Sequence, residues 1–270
     1  MTAAEEFARV RALVFEPYSM FRVAPMRGQF VNVNERGDRE TGRAKAWPPP
    51  PDAIFVFGGS MAFGYGLADA ETIPAQLERA TGRDVYNFAT PNHNAEQERI
   101  RLEQLLLDGA RPSVAVFLDG FGEFIAPFYA PLMFRPFVNA TRRRSRVERL
   151  LKRDAPPVLR LPDAAAVLDR YLANMKLIRG VCTPFGVQPL FVWQPVPCYR
   201  YDGPAESHGD GAPLVEIVRQ GYELMHARGF DGLWLADMQA GRTESLYVDP
   251  DHYNAAFSAE IAQRIAVELR

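Results

Sequence analysis

Ser60, Asp249 and His252 are the residues of this chain whose types and surroundings suit joint chemistry. A serine hydroxyl is a weak nucleophile until a base takes its proton, and an imidazole suits that task because its pKa lies near neutrality. Ser60 directly follows Gly58-Gly59, a pair that allows a tight turn, leaves room for a carbonyl to approach and offers backbone N–H groups as oxyanion donors. Asp249 and His252 are three apart, a spacing that on one helical turn puts both side chains on one face, with the carboxylate holding the far ring nitrogen. Each piece alone has an ordinary explanation: a Gly-Gly-Ser turn, and an aspartate that caps a helix. Their joint occurrence, in this chain order, favours a serine hydrolase. A phosphate cradle is the weaker reading of the glycine turn, because no G-x-x-x-x-G-K-[ST] run is present and no lysine lies near Ser60.

These residues must be delivered by the elements around them. Ala53 to Phe57 is a short apolar run stopped by Gly58-Gly59, and reads as a buried strand. Further strands are expected at 85–88, 114–118, 187–193 and 233–235, alternating with helical patterns at 72–80, 94–108, 164–179, 214–227 and 254–269. Strands alternating with helices of ten residues or more indicate βαβ units, hence an α/β fold with a parallel sheet covered on both faces. Chemistry in such sheets sits beyond the carboxyl ends of the strands. Ser60 follows the first strand there, Asn87 to Asn94 the second, Asp119 to Glu123 the third, and the Asp249 to His252 segment precedes the last helix. The first fifty residues read differently: an amphipathic stretch from Glu5 to Phe15, strand-like alternation from Gly28 to Val33, and a closing Pro48-Pro49-Pro50-Pro51 run that continues neither helix nor central strand. Residues 1–52 are therefore expected as an N-terminal arm packed on a main domain at 53–270.

Composition bounds the class. The 270 residues are 47% hydrophobic and 24% charged, with 31 Lys and Arg against 33 Asp and Glu and a net charge of −2. That balance lacks the basic field of a nucleic-acid binder, so no nucleic-acid partner is expected. Cys182 and Cys198 are too few for a disulfide scaffold, and no metal-ligand spacing appears, so neither metal nor cofactor is expected. No apolar run reaches the ~18–20 residues of a membrane span, and the first residues lack the order of a signal peptide. Cytoplasmic is the default expectation, extracytoplasmic if a leader or anchor precedes this sequence.

The motifs resemble those of the SGNH hydrolases, the GDSL-type esterases and lipases. Phe57-Gly58-Gly59-Ser60 with Phe63-Gly64-Tyr65-Gly66 is similar to their first block, and Asp249-Pro250-Asp251-His252 to their last. The second block resembles Val85-Tyr86-Asn87-Phe88 through Asn94, and the third, G-x-N-D, aligns with Gly120-Phe121-Gly122-Glu123. The resemblance implies a three-layer α/β/α flavodoxin-like domain with a mostly parallel five-stranded sheet, and ester hydrolysis without a metal. It implies Ser60 as nucleophile, His252 as base and then acid, and Asp249 as the orienting carboxylate. Oxyanion donors would be the Ser60 N–H and the N–H of Asn92, which stands at the family's glycine position. Gly122 stands at the family's asparagine, and losing one such donor costs ~2.7–4 kcal/mol unless replaced. The classical α/β-hydrolase ranks below, since Ala62 breaks its G-x-S-x-G elbow.

Candidate substrate contacts are Gly59, Asn94, Phe121, Glu123 and Gln194, with His93 nearby. Between Phe121 and Pro162 the chain is read as leaving the βα rhythm, running from an aromatic stretch to the arginines 142–144, 146 and 149. That insertion suits a lid at about 121–162, a satellite core, or a contact in a homo-oligomer. A loop from Gln194 to Pro213 carries Tyr199, Arg200, Tyr201 and His208 and reads as surface. The expected activity is cleavage of a small-molecule or carbohydrate acyl ester through an acyl-enzyme. The alternatives are O-acyl transfer to a sugar, or a binding protein that kept the fold.

Overall fold

The computed structural model describes residues 2–8, 13–133, 160–204 and 213–270. Near the N-terminus a short helix α1 (Ala3–Ala8) is followed by a hairpin of β1 (Leu13–Glu16) and β2 (Met20–Val23), then by a second small pair, β3 (Met26–Arg27) and β4 (Asn32–Val33). The alternation read at Gly28 to Val33 thus yields only a two-residue strand. Its backbone goes elsewhere: the Glu6 carboxylate accepts the successive N–H groups of Gln29, Phe30 and Val31 at 2.7, 2.6 and 2.9 Å. A side chain replaces the ladder partner that would have made it a strand. The amphipathic stretch from Glu5 likewise changes form, because helix α1 ends at Ala8 and Leu13 to Glu16 is extended.

The central sheet has five strands, β5 (Ile54–Gly58), β6 (Val85–Asn87), β7 (Val114–Asp119), β8 (Gln188–Trp193) and β9 (Leu233–Trp234), in the order β6-β5-β7-β8-β9. All four pairings are parallel, and the flavodoxin-like order places a reversal of direction between β5 and β7. Every residue of β5 and β7 is buried, the continuous apolar pattern of strands covered on both faces. Register aligns Phe57 with Phe117 and Phe117 with Phe191, and the rings stack at 5.0 and 5.5 Å across the three strands. Such pairs add about 0.5–1.5 kcal/mol each beyond area burial.

The helices are α2 (Ser60–Phe63), α3 (Ile73–Thr81), α4 (Ala95–Leu107), α5 (Phe121–Met133), α6 (Ala164–Cys182), α7 (Pro213–Arg228) and α8 (Ala255–Glu268). Helix α3 packs on α8 as one layer, and α4 on α6 and α6 on α7 as the other. Their starts follow capping chemistry: Thr72, Asn94, Asp163 and Asn254 each accept a backbone N–H of the first turn. Helix α5 corrects the expectation of an irregular stretch after the third strand. It begins at Phe121 and runs through Pro127 and Pro131 to Met133. Residues 134–159 of the expected insertion, including the arginines 142–144, 146 and 149, lie outside the described residues. The loop after β8 is also less exposed than expected: Tyr199 and Tyr201 are buried, with the Tyr201 hydroxyl donating to Glu244 O at 2.6 Å. His208 lies outside the described residues.

Candidate active site

Ser60 opens α2 at the carboxyl end of β5, next to the point where strand order reverses. The turn needs its first glycine. Gly58 has φ +153°, and a Cβ there would meet Ala62 Cβ at 2.6 Å and Leu118 O at 2.9 Å. The far end of this short helix is held from the N-terminal residues. Arg39, fully buried, donates through its guanidinium to the carbonyls of Phe63, Gly64 and Leu67 and pairs with Asp69 at 3.1 Å. Four residues of helix cannot hold themselves, and Arg39 adds a charged donor to carbonyls at its end that otherwise meet only the Asn87 amide at Phe63 O and the Leu67 N–H at Gly64 O. Burial pulls the Arg39 pKa down, while the charge of Asp69 opposes that shift.

His252 comes from the segment before α8, with Nε2 2.8 Å from Ser60 Oγ. Its Nδ1 faces both carboxylate oxygens of Asp249 at 2.8 Å and one of Asp251 at 3.1 Å. This segment is not the helical turn expected from the three-residue spacing. It is a bend closed by the Tyr247 and Tyr253 bridge, in which Asp249 Oδ1 accepts the N–H groups of Asp251 at 3.1 Å and His252 at 2.8 Å. Aspartate side chains turn the backbone this way readily, so one carboxylate shapes the loop and meets the ring. Asp249 caps no helix; Asn254 caps α8. Tyr65 stacks on the imidazole at 4.4 Å and fixes its plane.

Charge follows from these partners. Burial works against protonated His252, but the bonds to Asp249 and Asp251 outweigh it and lift the imidazole to about 9. Burial likewise opposes ionised Asp249, and the same ring holds that carboxyl at about 2. Three ligand-type atoms of Asp249, Asp251 and His252 converge here because two carboxylates share one imidazole nitrogen.

Facing Ser60 are two loops. Asn92 has φ +64°, a left-handed conformation that asparagine adopts more easily than other residues with a Cβ, which accounts for its standing where the resembling family has glycine. Gly122 lies in the first turn of α5, and a Cβ there would meet His93 O at 3.0 Å. The loop after β6 therefore packs against α5 closely enough that a side chain at 122 would press on the His93 carbonyl. Among the described residues no acceptor meets the backbone N–H of Ser60, Asn92 or Gly122.

A cavity of about 770 Å³ surrounds these groups, lined by Gly59, Ser60, Asn92, Phe121, Gly122, Gln194 and His252 among others. Two expected contacts fall elsewhere. Asn94 caps α4, and buried Glu123 accepts the Ala95 N–H at 2.8 Å; both line a neighbouring cavity. His93 reaches the main cavity, but its ring is buried, bonds Phe21 O at 3.1 Å, and is driven to about 3 by burial, so it stays neutral. Cys182 and Cys198 are free thiols pushed up by burial to about 11 and about 12. Arg39, Tyr65 and Asp251 are what sequence reasoning missed. Asp251 stood in plain sight inside the Asp249 to His252 motif, and Tyr65 in the first block; nothing marked Arg39 among the many arginines.

No protein-family model matches the chain, and no curated protein does. Solved structures similar to it include a member of the lipolytic protein G-D-S-L family from Veillonella parvula, at 12% identity and TM-score 0.46 over 80% of this chain and 97% of that one. A carbohydrate esterase family 2 enzyme with a carbohydrate binding domain, from Corynascus thermopiles, gives 14% and 0.46 over 84% and 68%. Est24, a carbohydrate acetylesterase from Sinorhizobium meliloti, gives 10% and 0.44 over 80% and 97%. At such identities the chemistry of this chain rests on its own side chains.

Proposed function

We propose that this protein is a serine ester hydrolase of the SGNH type, with Ser60 as nucleophile, His252 as base and acid, and Asp249 as the carboxylate that orients the ring. The observation that carries the reading is the 2.8 Å contact of His252 Nε2 with Ser60 Oγ, with Asp249 at 2.8 Å from the opposite nitrogen. Ser60 Oγ attacks the ester carbonyl as its proton passes to Nε2; the C–O bond to the alcohol breaks and the alcohol leaves with that proton. Water then attacks the acyl-enzyme, gives its proton to His252, and the acid departs as the proton returns to Ser60.

Charge on the carbonyl oxygen is met by the N–H groups of Ser60, Asn92 and Gly122. The third replaces the asparagine side chain of the resembling family, and it stands at the N-terminus of α5, where the helix dipole favours negative charge. This answers the loss implied by glycine at 122 and favours an active enzyme over a binding protein that kept the fold. Fluorophosphonate labelling tests it together with p-nitrophenyl butyrate turnover. Wild type is expected to label at Ser60, and Ser60→Ala to lose label and at least about 10³ in kcat. Turnover unchanged by Ser60→Ala overturns the assignment.

A further inference from the structure

The cavity at Ser60 shares part of its wall with another cavity. Its far side is apolar, formed by Ile125, Phe128, Leu161, Leu214 and Val218. A second cavity of about 500 Å³ lies beyond, and Asn92 and Ala126 line both. The second cavity runs between the first turn of α5, the start of α6 and the β2 strand, with Phe21, Pro127 and Val167 on its walls.

Polar residues also line this recess, and most of their hydrogen-bonding groups are engaged within the protein, with Asn174 Nδ2 left without a partner among the described residues. Asn94 accepts the Gln97 N–H, Glu123 accepts the Ala95 N–H, the Tyr171 hydroxyl donates to Asp119 at 3.2 Å, and Arg170 pairs with Glu96. What these groups leave to an occupant, the Asn174 amide apart, is mainly hydrocarbon surface. A sugar would lose most of its hydration there with few replacement partners, whereas an alkyl chain gains from leaving water.

We propose that the recess beyond Ala126 is an acyl-chain subsite, so that the substrate class is an ester of a medium or long aliphatic acid rather than an acetyl ester, and that Ala126 sets the chain length. This rests on the ester-hydrolase reading above. Alanine at 126, buried in the wall common to both cavities, is the smallest side chain that keeps α5 helical, and a larger one thickens that wall and takes volume from the cavities it separates.

The test measures kcat/KM for p-nitrophenyl esters from acetate to decanoate, and the binding of decanoate to Ser60→Ala protein by calorimetry. In wild type kcat/KM rises with chain length, by up to about fourfold per buried methylene. Ala126→Leu lowers the decanoate-to-acetate ratio at least about tenfold, and Ala166→Phe, at an exposed position of α6 that lines only the recess, lowers it independently of any strain at 126. Decanoate binds Ser60→Ala protein, and more weakly once Ala126→Leu is added. A wild-type optimum at acetate, or a ratio that neither variant changes, overturns the subsite. Should no ester be turned over, the hydrolase reading fails, and decanoate binding alone then decides whether the subsite stands.

Discussion

Two groups of carboxyls flank the cleft, and the protein treats them oppositely. Asp249 and Asp251 keep 30% and 33% of their side chains exposed and both face Nδ1 of His252. Glu98, Asp119 and Glu123, from α4, the end of β7 and the first turn of α5, are almost wholly buried, with one another as their chief neighbours. In the first group the imidazole holds Asp249 at about 2 against the cost of burial. In the second, burial raises all three, and for Glu98 and Glu123 the charge of Asp119 adds to that shift. Burial favours the protonated form of Glu98, whose carboxyl hydrogen-bonds Asp119, and Asp119 also accepts from the Tyr171 hydroxyl. The same chemical group is thus held as an anion where a cation can form beside it and pushed toward the neutral acid where none can. The first group does chemistry in the proposed mechanism; the second joins three elements behind the Gly122 turn.

The largest effect is expected where the contrast is sharpest. Asp249→Asn removes the charge that stabilises the imidazolium and the acceptor that fixes its tautomer, and kcat should fall about 10³–10⁴-fold with little change in KM. Asp251 touches the same nitrogen at 3.1 Å but bonds no backbone, so Asp251→Asn should cost less than about tenfold. Steady-state kinetics on a butyrate ester would reverse the comparison if Asp251→Asn proved the more damaging.

A smaller effect is expected in the pH profile. The base works as the neutral ring, and the two carboxylates lift its pKa to about 9, so kcat/KM should climb with pH, reach half its maximum near 9 and level off above. Asp251→Asn takes away one of the two charges that favour the imidazolium, so the limb should move to lower pH. A wild-type limb near the ordinary histidine value, or one that Asp251→Asn leaves in place, would show that the carboxylates do not set the base.

Much of the frame was legible in the sequence. The apolar run from Ala53 to Phe57 and the caps Thr72, Asn94 and Asn254 each act through neighbours a few residues away, where pattern and propensity speak directly. The same locality explains where the expected residues turn. Asn94 and Glu123 stand at helix starts beside the cleft, yet helix starts need acceptors, and both turn to backbone N–H groups instead of to the main cavity. The Asp249 and His252 spacing suggested a helical face, while the aspartate preferred to bend its own backbone. Arg39 is the opposite case: its partners lie 24 to 30 residues away, and no period or motif joins them. Contacts that depend on how two segments dock leave no local trace.

The smallest effect tests the buried group, through stability instead of rate. Glu98 has its pKa raised in the folded state by burial, then by Asp119 and Glu123, well above the 4.5 of an ordinary glutamate. The folded chain therefore holds a proton that the unfolded chain releases, so stability is greatest below the unfolded value and declines as pH rises toward the folded one. Glu98→Gln keeps a donor for Asp119 in the same place and removes that titration. The variant should match wild type at pH 5 within about 0.5 kcal/mol and exceed it at pH 8, with the gap widening between. Denaturant unfolding at the two pH values measures it. Had Glu98 found a cation, as Asp249 found His252, its pKa would lie low, and the glutamine variant would be the weaker protein at pH 8, erasing the contrast between the two groups.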